Sequence, residues 1–200
     1  MSTVTYASEE EYRDYLGLPD ALSNAQLAEL LDASRTWDLL CSVEPGWFAV
    51  ASSTARSFSP ERAGSLWLGA LATDVGVVVK IDVDGDRTFE TTLSAALDYY
   101  LEPVSGPPYH RLVIDPANSR YSLPIGPRRV QVTAYHGWSQ AAPEPVRRAT
   151  MMIAKRYNVR PNTPEGIKAG GEHMMRLAGD DPDVKAILRA GGYRQGAVIA

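Results

Sequence analysis

Three aspartates at alternate positions, Asp82, Asp84 and Asp86, come nearest to chemistry by type and spacing, because carboxylates arranged this way on a turn can converge on a hard cation. A calcium loop needs a glycine at its sixth position and a bidentate glutamate at its twelfth, and these places hold Arg87 and Leu93. The expectation is an acidic hairpin without a metal. His110, Asp115 and Ser119 have the residue types of a nucleophilic triad, but one strand and its following turn seldom give all three the required geometry. The other histidines, His136 and His173, lie in separate segments and form no paired ligand spacing. None of the 16 glycines falls in a GxxxxGKS/T or GxGxxG pattern, so no phosphate cradle is visible. No catalytic residue and no cofactor are expected. Three basic pairs, Arg128-Arg129, Arg147-Arg148 and Lys155-Arg156, could face DNA or an acidic partner; a solvated or ion-paired face is the simpler expectation.

The elements that would position these residues fall into two kinds. Residues 128–134 alternate, with Val130, Val132 and Ala134 to one side and Gln131, Thr133 and Tyr135 to the other, which predicts a half-buried strand. After Gly137-Trp138, Pro143 and Pro145 suit the first turn of a helix whose apolar face runs through Val146, Ala149, Met152, Ile153 and Tyr157. Two earlier helices are marked by capping boxes, Ser8 with Glu11 and Ser23 with Gln26, and the first stops at Gly17. In the second, Leu27, Leu30, Leu31, Trp37 and Cys41 form an apolar stripe, while Glu29, Asp32, Arg35 and Asp38 decorate the rest. That stripe needs a partner, and the helix after Pro143 is the natural one. Cys41 is the only cysteine, which excludes an intrachain disulfide and suits a small buried side chain.

Between the helices the pattern turns to short β-like runs at 47–50, 65–71, 77–83, 88–92, 97–101, 111–114 and 128–134, with Asp84-Gly85 predicting a tight hairpin. Beyond Tyr157, two prolines and three glycines disfavour a continuous helix. A short helix is then expected from Asp181-Pro182 to Gly191-Gly192, with Val184, Ile187 and Leu188 on one face. The predicted fold class is α+β: a small helical bundle core with an inserted antiparallel β subdomain and an extended C-terminal arm. Its parts are core helices in 1–46, the β insertion in 47–138, a core helix in 139–158 and the arm in 159–200.

With 44% hydrophobic and 22% charged residues, the 200-residue chain has the composition of a folded soluble protein. The net charge of −4 argues against a protein whose task is to neutralise many phosphates. No basic-then-apolar leader or membrane-length apolar run is present, so synthesis in a reducing cytoplasm and no membrane partner are expected.

The strand, Gly-Trp turn and proline-led helix of RRVQVTAYHGWSQAAPEPVRRATMMIAKRY resemble the head-to-tail connector, or adaptor, proteins of long-tailed bacteriophages. The opening YASEEEYRDYLGLPDALSNAQLAELLDASRTWDLLC, hinged at Gly17-Leu18-Pro19, is similar to the N-terminal helices of that family. VVVKIDVDGDRTFE and DYYLEP resemble the β insertion of the versions in phages of actinobacteria, and DPDVKAILRAGGYRQG resembles the terminal segment. The resemblance implies a nonenzymatic virion protein at the neck, forming a twelvefold ring between the portal protein and the stopper or tail-end protein. Genomic DNA would pass through that ring without sequence-specific binding. It also implies that the terminal segment touches the portal, with Val184, Ile187, Leu188, Tyr193 and Arg194 as the contact residues. Two alternatives stay open: another neck or tail-end ring protein, such as a stopper or tail terminator, and a small α+β enzyme or ligand-binding protein.

Overall fold

The computed structural model of the protein describes residues 5–159 and 182–191. Contacts divide the chain into a helical unit, residues 1–49 with 141–200, and a β unit, residues 50–140. The described elements are mixed α and β, with the β unit inserted between helices as the sequence pattern predicts.

In the helical unit, α1 (Glu9–Leu16) and α2 (Asn24–Cys41) both begin with complete capping boxes, Ser8 reciprocating with Glu11 and Ser23 with Gln26. Each box pairs backbone N–H groups that a helix end otherwise leaves open. Gly17 ends α1 at φ 68°, a left-handed position that glycine adopts without the penalty of a Cβ. The stripe of α2 buries Leu30, Ala33, Trp37 and Cys41. It packs on α3 (Glu144–Val159), whose Val146, Ala149, Ile153 and Tyr157 are buried, so the two apolar faces pair as expected. Full burial of a side chain such as Ile153 stabilises the unit by about 1.5–3 kcal/mol. Arg147 ties α3 to α1, its Nη1 donating to Glu11 at 2.5 Å while Nη2 donates to Glu144 at 2.6 Å. The Lys155 ammonium lies 5.3 Å from the centre of the Tyr15 ring. The last described helix, α4 (Pro182–Ala190), matches the expected short helix and packs on α3.

The β unit holds a four-stranded sheet in the order β1-β7-β3-β4 and a three-stranded sheet in the order β2-β6-β5, with antiparallel pairing in both. The strands are β1 (Thr54–Phe58), β2 (Ser65–Leu71), β3 (Val78–Ile81), β4 (Thr91–Leu93), β5 (Tyr99–Glu102), β6 (Tyr109–Ile114) and β7 (Val130–Ala134). Val130, Val132 and Ala134 are fully buried and join Val79, Leu112 and Leu66 in one core fed by both sheets. Alternation along β2, β3, β6 and β7 turns the buried side chains of each sheet toward this core.

Two expectations need correction, and one strand was not expected. Residues 47–50 form turns, not a strand, because Gly46 at φ 83° redirects the chain and Phe48 is buried against Tyr6 and Trp37. β1 was not anticipated. The β3–β4 hairpin exists, but its connection runs from 82 to 90 in place of a two-residue turn, because Ile81 pairs with Thr91.

Candidate functional site

The connection from β3 to β4 gathers more carboxylates than the alternate aspartates suggest. Asp82, Asp84, Asp86 and Glu90 bring ligand oxygens within 4.8 Å of one another. Backbone geometry makes this possible: Gly85 and Arg87 both take positive φ, 91° and 74°, and curl the loop back on itself. The carboxylates are engaged by the loop's own amides. Asp82 accepts from Gly85 N at 2.6 Å and Arg87 N at 3.1 Å, Asp84 from Asp86 N at 3.2 Å and Asp86 from Thr88 N at 2.7 Å. The Thr88 amide holds the Asp86 carboxyl below its usual pKa. Glu90 accepts from Val83 N at 3.5 Å.

Asp82, 1% exposed, would be a costly buried charge without a cation beside it. Arg129 supplies that cation, with Nε 3.7 Å from an Asp82 oxygen. Its guanidinium also donates to the backbone carbonyls of Asp82 at 3.0 Å and Val83 at 2.7 Å. The acidic turn and the strand entering the sheet are thus clamped by one arginine. Next to the clamp is a recess of about 390 Å³, lined among others by Ser57, Arg87, Phe89, Arg128 and Arg129.

The three residues of the possible triad are not brought together. His110 Nδ1 donates to the Gly69 carbonyl at 2.5 Å, where Gly69 at φ 84° forms the bulge in β2. Because a carbonyl only accepts, the proton must sit on Nδ1. The His110 ring stacks on Trp67 at 5.6 Å. Asp115 caps its own turn, accepting from Ala117 N and from Asn118 Nδ2, while Ser119 Oγ donates to Asp98 at 3.1 Å. His136 is buried and its Nε2 donates to Val132 O at 3.2 Å; His173 lies outside the described residues.

Among the terminal residues expected to meet a partner, Val184 and Leu188 are buried as α4 packs on α3, whereas Ile187 is half-buried. The apolar face of α4 is therefore largely covered within the chain. Ile187 lines a cleft of about 430 Å³ with Glu144, Arg148, Met152, Asp183 and Ala186. Tyr193 and Arg194 lie outside the described residues.

Asp38 is the largest departure from the helical pattern. The α2 periodicity sets it on the charged face, yet it is 4% exposed. The Tyr6 hydroxyl donates to it, and Gly46 N donates at 3.1 Å. Tyr6 N in turn donates to Ser34 Oγ at 3.1 Å. Burial pushes the Asp38 carboxyl up to about 6, partly offset by these two donors. Burial, followed by the neighbouring Asp38 charge, raises the Tyr6 hydroxyl. The segment before α1 is thereby pinned over α2.

On the outer face of the three-stranded sheet, Trp67 pairs in register with Arg111, and Arg111 with Glu102. Trp67 is 55% exposed, and Arg111 lies 3.6 Å from Glu102. Exposed aromatic and arginine side chains of this kind serve recognition more readily than reaction chemistry.

No family model matches the chain, and none of the curated proteins matches it. Solved structures do. A chain from the neck of an empty GTA particle, computed with C6 symmetry, superposes with a TM-score of 0.51 at 18% identity, covering 89% of this chain and 92% of that one. A chain from the neck of a native GTA particle, computed with C12 symmetry, gives 0.48 at 15% identity over 89% and 94%. The first of these shows a shared fold over nearly the full length of both chains.

Proposed function

We propose that this chain is a nonenzymatic structural protein of a phage-like particle, a head-to-tail adaptor whose copies close into a ring in the neck and extend the DNA channel. The carrying observation is that its fold is shared, over 89% of its length, with a chain of a GTA particle neck. The site geometry fits a protein that works through surfaces. The polar clusters of the β unit are consumed in holding loops, and the triad-like residues serve backbone and turn. A closed ring needs two different complementary faces on each copy. Exposed Trp67 and Tyr100, with Arg111 at the rim, offer one face suited to a neighbour.

In this proposal the ring is twelvefold and stands between the portal protein and a stopper or tail-end protein. The terminal segment meets the portal: Val184 and Leu188 fix α4 on α3, and Ile187 at the cleft contributes to the contact together with Tyr193 and Arg194. The test is light scattering of the purified protein alone and after mixing with purified portal. A monomer or weak oligomer that gains ring mass on the portal supports the adaptor. A stable dimer indifferent to the portal refutes it. Ile187→Asp, placed at the cleft and not in the core, should abolish portal binding without changing the melting temperature by more than a few degrees.

A further inference from the structure

The segment just ahead of α1 sits in a socket on α2 that matches one tyrosine. Tyr6 and Ala7 are buried, while Thr5 and Ser8 on either side are exposed. Ser34 and Asp38 stand one turn apart on α2, on the same helix face, and both are buried. Ser34 Oγ gives its own proton to the Leu30 carbonyl at 3.0 Å, so it meets the Tyr6 amide, at 3.1 Å, as an acceptor. One turn on, Asp38 accepts from the Tyr6 hydroxyl. The same hydroxyl accepts from Phe48 N at 3.4 Å, and the second Asp38 oxygen accepts from Gly46 N at 3.1 Å. The Tyr6 and Phe48 rings meet edge to face with centroids 5.9 Å apart, and Phe48 lies against Trp37. One tyrosine thus fastens two segments, the one that opens α1 and the turn at 44–49 by which the chain leaves α2 for β1.

We propose that residues 5–8 form a strap that opens and closes as one unit with the turn at 44–49, giving the helical unit a second state in which the Tyr6 socket is open and the turn is loose. The strap buries two side chains, far less than the apolar faces that join α2 to α3, so it belongs to the low-stability end of the unit. The turn has bonds of its own, Trp47 N to Glu44 O and Ala49 N to Gly46 O, both 3.1 Å, but these are internal to it. Its fastening to α2 passes through Asp38, the Tyr6 hydroxyl and the Phe48 ring, the same groups that hold the strap. Withdrawing Tyr6 therefore strips Phe48 N of its acceptor and the Phe48 ring of its cover in one step. Asp38 works against closure: burial disfavours its anion, and that charge regains water when the strap lifts, which returns part of what the closed contacts gain. The inference stands on the helical unit alone and does not rest on the adaptor reading.

Native-state amide hydrogen exchange on the full chain, followed as denaturant rises toward the unfolding midpoint, tests the strap. In wild type the Tyr6, Gly46 and Phe48 amides should share one opening equilibrium and one denaturant dependence, and should exchange well ahead of Ile153 and Ala154 in α3. Ser34→Ala removes the acceptor of the Tyr6 amide and puts a good helix former in its place; Ser34 makes no hydrogen bond to the turn among the described residues. Exchange at Gly46 and Phe48 should nonetheless rise about five-fold or more, in step with Tyr6, while Ile153 and Ala154 keep the wild-type rate. Tyr6→Phe, which keeps the ring and loses the hydroxyl, should accelerate Gly46 in the same way. Faster exchange at Tyr6 with Gly46 and Phe48 unchanged would show two independent segments and overturn the proposal. So would acceleration of the α3 amides to the same degree, since Tyr6 would then be part of the global fold and not of a strap. The wild-type profile decides the matter even where a variant does not fold: strap and turn amides that open only together with α3, or with different denaturant dependences from each other, refute it.

Discussion

Protonating Asp38 should stabilise this protein, opposite to the usual behaviour of a carboxylate in a hydrogen-bonded site. Its carboxyl is raised from 3.8 to about 6 because burial penalises the charged form more than the Tyr6 and Gly46 donors favour it. Between those two values the folded chain holds a proton that the unfolded chain has released. Stability from this group is therefore present in full below about pH 4 and is lost as pH rises through about 6. Across the whole window the shift corresponds to about 3 kcal/mol, and between pH 7 and pH 5 to about 1.3 kcal/mol. Other carboxylates titrate in the same range, so the contribution must be isolated by difference. Urea unfolding of wild type and Asp38→Asn at both pH values provides this. Wild type should gain about 1.3 kcal/mol more than the variant on going from pH 7 to pH 5. At pH 7 the variant should lie close to wild type, because losing charge-assisted bonds is offset by no longer burying a charge. Equal pH dependence in the two proteins would refute the argument, since Asp38 would then be solvated or fully compensated.

Arg129→Ala removes the only cation within ion-pair distance of Asp82 among the described residues, together with two bonds to backbone carbonyls; we expect a loss of about 3 kcal/mol, read as a lower urea midpoint. Gly85→Ala combines φ 91° with a Cβ 2.5 Å from Arg129 Nη1, and should cost about 1–3 kcal/mol, part of which disappears in the Arg129→Ala background. Tyr12→Phe should be neutral or slightly stabilising in a thermal melt, because the buried Tyr12 hydroxyl has no hydrogen-bond partner among the described residues. Excess calcium should leave the melting temperature unchanged, since the acidic loop satisfies its carboxylates with its own amides and Arg129. A rise of many degrees specific to calcium would show that Asp82, Asp84, Asp86 and Glu90 are ligands.

What was legible in the sequence was local. Ser8-x-x-Glu11 and Ser23-x-x-Gln26 specify their caps within one turn, and Val130-x-Val132-x-Ala134 specifies a strand face within five residues. The pairing of α2 with α3 followed because two apolar stripes had no other partner of matching size. Features set by distant segments were not legible. Asp38 looks solvated by helical period, and Tyr6, arriving from the other side of α1, and Gly46, beyond the end of α2, close over it. Strand β1, TARSF, has a mostly exposed pattern and no apolar alternation; it is a strand because β7 offers it an edge. Glu90 escaped the acidic motif because the loop's left-handed Arg87 brings it back beside Asp82, a bend that residue type does not announce. The apolar face of α4 found its cover on α3, which its own sequence could not reveal. The surface residues assigned to partners leave the least trace of all, because an exposed Trp67 follows no period and satisfies no local rule.

The proposed place of this chain is the neck of a phage-like particle. Electron micrographs of purified particles labelled with gold-conjugated antibody to the chain test it most directly. A neck protein gives label at the single vertex where head and tail join. Label spread over the capsid, confined to the distal tail, or absent from particles while the protein remains free in the lysate would contradict it.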